Sequence, residues 1–257
     1  MALRSIWNGT IAFAGVFVPI KVHSATEDRT VHFHEVHVDD EARIEHKRIC
    51  SKEDKEVPYK EIVKGYEVSE GKYVVLEDDE LKAAAGPASR VIEVEQFVCA
   101  RDIDPVMFVK SYYLGSQDKG KDAYRLLHDA LAKTDRAGIG RWVFHNREYL
   151  VAIRALGDVI GMHTMVFHDE LVPVKDLEIS SPSRKPSDKE LNMAGKLVES
   201  LQAKFKPEDY EDTYRERLLE YIEAKSKGKV ESLPQRTEAE DPSDLMAALE
   251  ASVSARG

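Results

Sequence analysis

Gly140-Arg-Trp-Val-Phe-His-Asn-Arg-Glu-Tyr-Leu-Val-Ala-Ile-Arg-Ala-Leu-Gly-Asp-Val-Ile-Gly-Met-His-Thr-Met-Val-Phe167 holds three runs of β-branched and aromatic residues divided by two turn signals. The runs 140–144, 148–153 and 159–167 have the length and composition of strands. Asn146 and Gly157-Asp158 tolerate the tight backbone of short turns, so adjacent runs are expected to pair. Similar runs lie upstream. Residues 11–22 (IAFAGVFVPIKV) are apolar, with Gly15 and Pro19 as interruptions that fit a bend, a bulge or an edge position. Strand-like runs also fall at 30–38, 43–49, 72–76 and 91–100. Many short strands with regular turn punctuation predict a barrel or a sandwich. Two helices are expected among them. One spans 78–85 and stops at Gly86-Pro87. The other spans 122–133, with Leu126, Leu127, Ala130 and Leu131 on one face. The fold class is therefore mixed α/β, predominantly β, with residues 1–180 as the core.

Beyond 180 the pattern changes period. A Pro/Ser linker leads to Ser187-Asp-Lys-Glu190, a capping box that satisfies free N–H groups at a helix start. Leu191, Ala194, Leu197, Val198, Leu201 and Phe205 then recur at helical spacing. Pro207 separates a second helix, about 210–227, whose apolar face is Tyr214, Leu218, Tyr221 and Ile222. Together 187–229 form a helical arm. A polar linker, 230–240, precedes a short capped stripe in 241–257, with Leu245, Leu249 and Val253 on one side. A helix that short is marginal alone, so it either folds back or docks onto a partner.

Charge argues against a nucleic-acid partner. The 257 residues hold 37 Lys and Arg against 47 Asp and Glu, a net charge of −10 and a pI near 5.5. Residues 1–185 and 186–257 each carry −5, so no half of the chain is basic. Affinity for DNA comes chiefly from Lys and Arg displacing counterions at phosphates. Binding would therefore require the bases to be segregated on one surface. No run reaches the roughly 20 apolar residues of a membrane span. Residues 1–10 show no basic-then-apolar leader pattern, and a soluble cytoplasmic protein is expected. Cys50 and Cys99 form neither a disulfide framework nor a C-x-x-C pair.

The motifs that could carry catalysis fall short. His32, His34 and His37 cluster in Val31–Val38, but only His32 and His34 share a strand face. Gly115-Ser-Gln-Asp-Lys-Gly-Lys-Asp122 nearly fits a phosphate loop, yet Asp122 stands where a hydroxyl must hold Mg²⁺. Asp122 is better explained as the cap of its own helix. Glu77-Asp-Asp-Glu80 reads as an acidic helix start favoured by the dipole. No metal site and no cofactor are expected. The remaining candidates are bases: Arg43, Lys47 and Arg48 near one strand, Arg43 and Lys47 on one face of it, and Arg136, Arg141, Arg147 and Arg154 across two later strands. Lys119 and Lys121 stand as exposed cations on a loop.

At this point the residues resemble a known family. Arg4-Ser-Ile-Trp7-Asn-Gly9 running to Val18-Pro19-Ile-Lys21 resembles the start of bacterial Ku proteins. So do Phe33-His-Glu-Val-His37, the segment from Ile44 to Cys50, and Ile62-Val-Lys-Gly-Tyr-Glu67. Ala123-Tyr-Arg-Leu-Leu127, Arg147-Glu-Tyr-Leu150, Gly157-Asp-Val159, Leu191-Asn-Met-Ala194, Asp212-Thr-Tyr-Arg215 and Ile222-Glu-Ala-Lys225 continue the match in order along nearly the whole chain. The resemblance implies a Ku-type β-barrel core with a bridge region and a C-terminal helical arm. It implies a homodimer that encircles double-stranded DNA ends without reading sequence, works without nucleotide or metal, and is not an enzyme. It further implies recruitment of the multifunctional end-joining ligase, ligase D, through Leu245, Leu249 and Val253, in a cytoplasmic, nucleoid-associated setting. On this reading Lys119 and Lys121 belong to the bridge, and the hole is lined by Lys21, Arg43, Lys47, Arg48, Arg141, Arg147 and Arg154. An added abasic-site lyase activity, with a lysine amine as nucleophile, is the alternative, and a metal- or nucleotide-dependent enzyme stands behind it. Two departures matter. Many relatives carry C-x-x-C where this chain has Cys50-Ser-Lys-Glu53. Many also continue into a lysine-rich tail where this chain has Arg256-Gly257; if that tail adds non-specific affinity in relatives, this chain is expected to bind more sensitively to salt or more weakly.

Overall fold

In the computed structural model, which describes residues 3–84, 90–179 and 184–228, the alternation of the opening stretch becomes the wall of a closed barrel. The strands in chain order are β1 (Trp7–Phe13), β2 (Val16–Ser24), β3 (Lys64–Ser69), β4 (Lys72–Leu76), β5 (Val91–Cys99), β6 (Phe108–Ser116), β7 (Arg136–Phe144), β8 (Arg147–Leu156) and β9 (Val159–Met165). Seven of them close in the order β1-β2-β6-β9-β8-β7-β5, while β3 and β4 form a separate hairpin. Closure is made by a short parallel pairing of Thr10, Ile11 and Ala12 on β1 with Val91, Ile92 and Glu93 on β5. Every other barrel pairing is antiparallel.

Period-two alternation explains the interior. Val18, Ile20 and Val22 on β2, Tyr112 and Leu114 on β6, Val151 and Ile153 on β8, and Ile160 and Met162 on β9 all point inward and are buried. Each large apolar side chain removed from water in this way contributes roughly 1.5–3 kcal/mol. Trp142 is the largest fully buried group. Trp7 and Tyr112 meet it edge-on, at 5.8 and 5.4 Å, and Phe144 stacks on it at 4.6 Å. These aromatics gather at one end of the barrel.

The other end is closed by α2 (Lys121–Thr134), which follows α1 (Asp78–Ala84) in the chain. Leu127, His128 and Leu131 of α2 are buried. The Tyr124 hydroxyl donates to the Leu114 carbonyl and accepts from the Ile160 N–H, tying α2 to β6 and β9. Leu126, expected on the buried face, is instead 71% exposed. Asp122 is not the cap. Gly120 occupies that position, with no side-chain bond, and Asp122 lies in the first turn.

Two strand expectations are corrected. The apolar run 11–22 is two strands, because Ala14 (φ 46°) and Gly15 (φ 82°) both adopt left-handed backbone and reverse the chain. Residues 30–38 and 43–49 form no strands. Only two isolated bridges occur there, Val36 with Arg43 and Ile49 with Glu56. Backbone groups bond across local turns, as His37 N–H does to the Ala42 carbonyl and Val57 N–H to the Arg48 carbonyl. No barrel strand pairs with this part of the insertion 25–90, so β-propensity has no ladder to join.

The chain divides into two compact units: Met1–Arg29 with Phe33–Asp176, and Thr30–His32 with Leu177–Gly257. The second unit contains α3 (Asp188–Ser200) and α4 (Thr213–Ser226). The Ser187 capping box is formed as expected: Glu190 N–H donates to Ser187 Oγ, and Ser187 N–H donates to Glu190 Oε2 at 2.7 Å. Arg184 also grips Glu190, and these contacts hold its carboxyl far below the usual carboxylate range. Leu191, Val198, Leu201, Phe205 and Tyr214 stand exposed.

Candidate nucleic-acid interface

The candidate cations occupy several regions. Arg43, Lys47 and Arg48 lie on the insertion. Lys47 pairs with Glu56 at 2.8 Å, and the Arg48 guanidinium lies 5.1 Å from the centre of the Tyr59 ring. Arg43 and Lys47 share no strand face, since no strand forms there. Lys21 opposes Asn8 on β1 and Gly115 on β6, whose C-terminus leads to the end closed by α2. Lys119 and Lys121 sit at that same end, Lys121 with its ammonium 3.6 Å from Asp118. Arg154 opposes Gly161 near the β8–β9 turn. Its Nε is buried with no partner among the described residues, and its guanidinium is 6.0 Å from the Phe108 ring. Arg141 lies on the barrel wall between Glu95 and Glu148, and both carboxylates raise its pKa further. Arg147 stands at the opposite end, 5.3 Å from the Tyr149 ring and 3.6 Å from Glu170. Leu245, Leu249 and Val253 lie outside the described residues.

Sequence reasoning missed the residues at the mouth beside Arg147. Arg4, Ser5, Ile6, Lys110, Tyr112, Phe144 and His145 line a cavity of about 490 Å³ there. Lys110 shares β6 parity with the inward residues Tyr112 and Leu114, so alternation alone would send its charge into the core. It escapes because it lies at the rim. Its ammonium is 5.7 Å from the Tyr112 ring centre, and the residue stays exposed. A charged residue at an inward register position was the available signal. Next to this mouth, Lys64, Leu81 and Ala84 meet His145, Asn146, Arg147 and Glu148 around a second cavity of about 430 Å³. Among the described residues, no group of three or more His, Cys, Asp or Glu side chains is placed to hold a metal ion.

Fold and site together define a class: a closed seven-stranded barrel with a long, largely uncovered insertion between β2 and β5, followed by a helical C-terminal unit. A family model described as the Ku70/Ku80 beta-barrel domain matches residues 12–193. A protein of Heliobacterium modesticaldum named Non-homologous end joining protein Ku is 40% identical over 254 residues, covering 98% of this chain and 92% of its own. Its namesake in Mycolicibacterium smegmatis is 42% identical, covering 99% and 83%, and that in Bacillus subtilis is 36% identical, covering 98% and 82%. The chain belongs to the Ku family.

Proposed function

We propose that this chain binds double-stranded DNA ends without regard to sequence, as a homodimeric ring acting in double-strand break repair by non-homologous end joining. The observation that carries the dimer is the insertion. Phe33, Val36, Val38, Tyr59, Val63 and Tyr66 all stand open, Val38 at 88% and Tyr59 at 76% of full exposure. Single exposed apolar residues need no explanation, but a continuous series of them calls for a covering surface. A second copy brings the same insertion, and a self-complementary pairing would cover both. The exposed stripes of α3 and α4 would serve the same assembly. The bridge is then residues of the insertion, with Arg43, Lys47 and Arg48 facing the duplex.

The reading is of a scaffold rather than an enzyme, needing neither nucleotide nor metal. Lys21, Arg141, Arg147 and Arg154 are the proposed barrel contacts; Lys119 and Lys121, expected in the bridge, lie beside α2 and not on the insertion, so they join this group. Arg141 is the weakest of them, since its charge is already matched by two carboxylates. Residues 241–257 would recruit ligase D through Leu245, Leu249 and Val253, and the protein would work at the nucleoid. A ring also reconciles DNA binding with a net charge of −10. A threaded ring leaves only by sliding off an end, so each phosphate contact can be weak. The test compares linear with nicked circular forms of one plasmid, without metal or ATP. The expected result is binding to the linear form alone at moderate salt, and equal affinity for both forms would refute the proposal.

A further inference from the structure

The mouth of the barrel opposite α2 receives a base from each of three separate elements: Arg4 from the N-terminal segment, Lys110 from β6 and His145 from the β7–β8 turn. No carboxylate lines this cavity. In a chain with 47 acids against 37 lysines and arginines, a wall without acids is a selective feature. Among the described residues, Arg4 and Lys110 make no ion pair, whereas Lys47, Lys121 and Arg141 each have a carboxylate beside them. The site is also braced. The register of β6 against β9 shifts between Phe108 and Lys110, a bulge of the kind that re-aims a side chain. Thr164 Oγ1 accepts from the Lys110 N–H at 3.2 Å and donates to the Lys110 carbonyl at 3.3 Å, so the backbone under the lysine is held from both sides.

We propose that this mouth seats a phosphodiester of duplex DNA, with Arg4 and Lys110 supplying charge and the Ser5 hydroxyl and His145 ring supplying hydrogen bonds. The inference rests on the DNA-binding reading above and names a contact that the sequence did not. Two features select a backbone phosphate over a base. The floor offers little stacking area, because Tyr112 is only 6% exposed and Phe144 already has one face on Trp142. The cavity also opens outward, which suits an anion that remains attached to a large, stiff ligand.

The test uses the full-length protein and short linear duplexes in which one phosphate at a time is replaced by a neutral methylphosphonate. The double variant Arg4→Ala/Lys110→Ala should bind unmodified duplex about tenfold more weakly. Its log–log salt dependence should be shallower by about one to two. At the phosphate seated in the mouth, methylphosphonate should weaken the wild type but not the variant. Lys110→Arg should restore that sensitivity, and Lys133→Ala, on the far end of the barrel, should keep it. An unchanged melting temperature would separate lost contact from lost fold. A double variant with wild-type salt slope, or one equally sensitive to methylphosphonate at every position, would overturn this contact and leave the ring intact. Equal wild-type affinity for linear and circular DNA would instead remove the ring while the methylphosphonate comparison still reported on the mouth.

Discussion

His128 and His163 are both buried in the barrel unit, yet their surroundings push their protons in opposite directions. His128 Nδ1 lies 2.9 Å from Asp129 Oδ1, and its Nε2 lies 2.9 Å from the Gly157 carbonyl. Both partners are acceptors, which favours the doubly protonated ring and raises the pKa, by Asp129 first and Gly157 second. His163 is lowered, chiefly by burial and then by the nearby charge of Arg154. Linkage fixes the signs. The His128 contribution is fully present below its unfolded value of about 6.5 and is lost as pH rises through the raised folded value. The His163 contribution is present above about 6.5 and is lost as pH falls toward its lowered folded value. Thermal melts across this range should therefore show His128→Gln most damaging at the acid end and His163→Gln most damaging at the alkaline end. Parallel pH trends for the two variants would contradict the assignments. Neither role was legible in the sequence: Asp129 is the chain neighbour of His128, but the Gly157 carbonyl on its other nitrogen, and the burial and Arg154 charge that act on His163, come together only on folding.

Elements were legible where a ladder or a core fixes them. The opening stretch reads correctly as three strands because its neighbours on both sides are barrel strands. The first helix of the arm reads correctly at its start because Ser187 and Glu190 form a local cap that needs no tertiary context, but it ends at Ser200, so Phe205 lies beyond the helical stripe expected to include it. The insertion misreads as strand because propensity alone does not supply a pairing partner. Gly140 shows how closely the barrel wall is packed. A Cβ there would lie 2.3 Å from the Glu93 carbonyl oxygen and 3.0 Å from the Val94 Cα, both backbone atoms. Gly140→Ala must spread β5 from β7 and should cost about 1–3 kcal/mol or more in denaturant unfolding. Gly195, inside α3 with nothing within 4 Å of its ideal Cβ, is the contrast. Gly195→Ala should strengthen its helix by up to about 1 kcal/mol. Equal effects at the two positions would mean that the β5–β7 contact is looser than drawn.

At the scale of the molecule, net charge pointed away from DNA, and the family resemblance pointed toward it. The two are compatible if the bases are gathered on one surface, and the proposed closure around the duplex would supply the rest of the hold. The sequence carried the family along nearly its whole length. It could not say which bases share a surface, because Arg4, Lys110 and His145 are far apart in the chain and meet only at the barrel mouth. Topological retention is the property that separates a threaded ring from a surface-bound protein. The direct measurement loads the protein on linear plasmid, seals the plasmid into a circle, and then raises the salt. The protein should stay on the sealed circles at salt that strips it from linear DNA, and a single restriction cut should release it. Equal loss from sealed and linear DNA would contradict the ring.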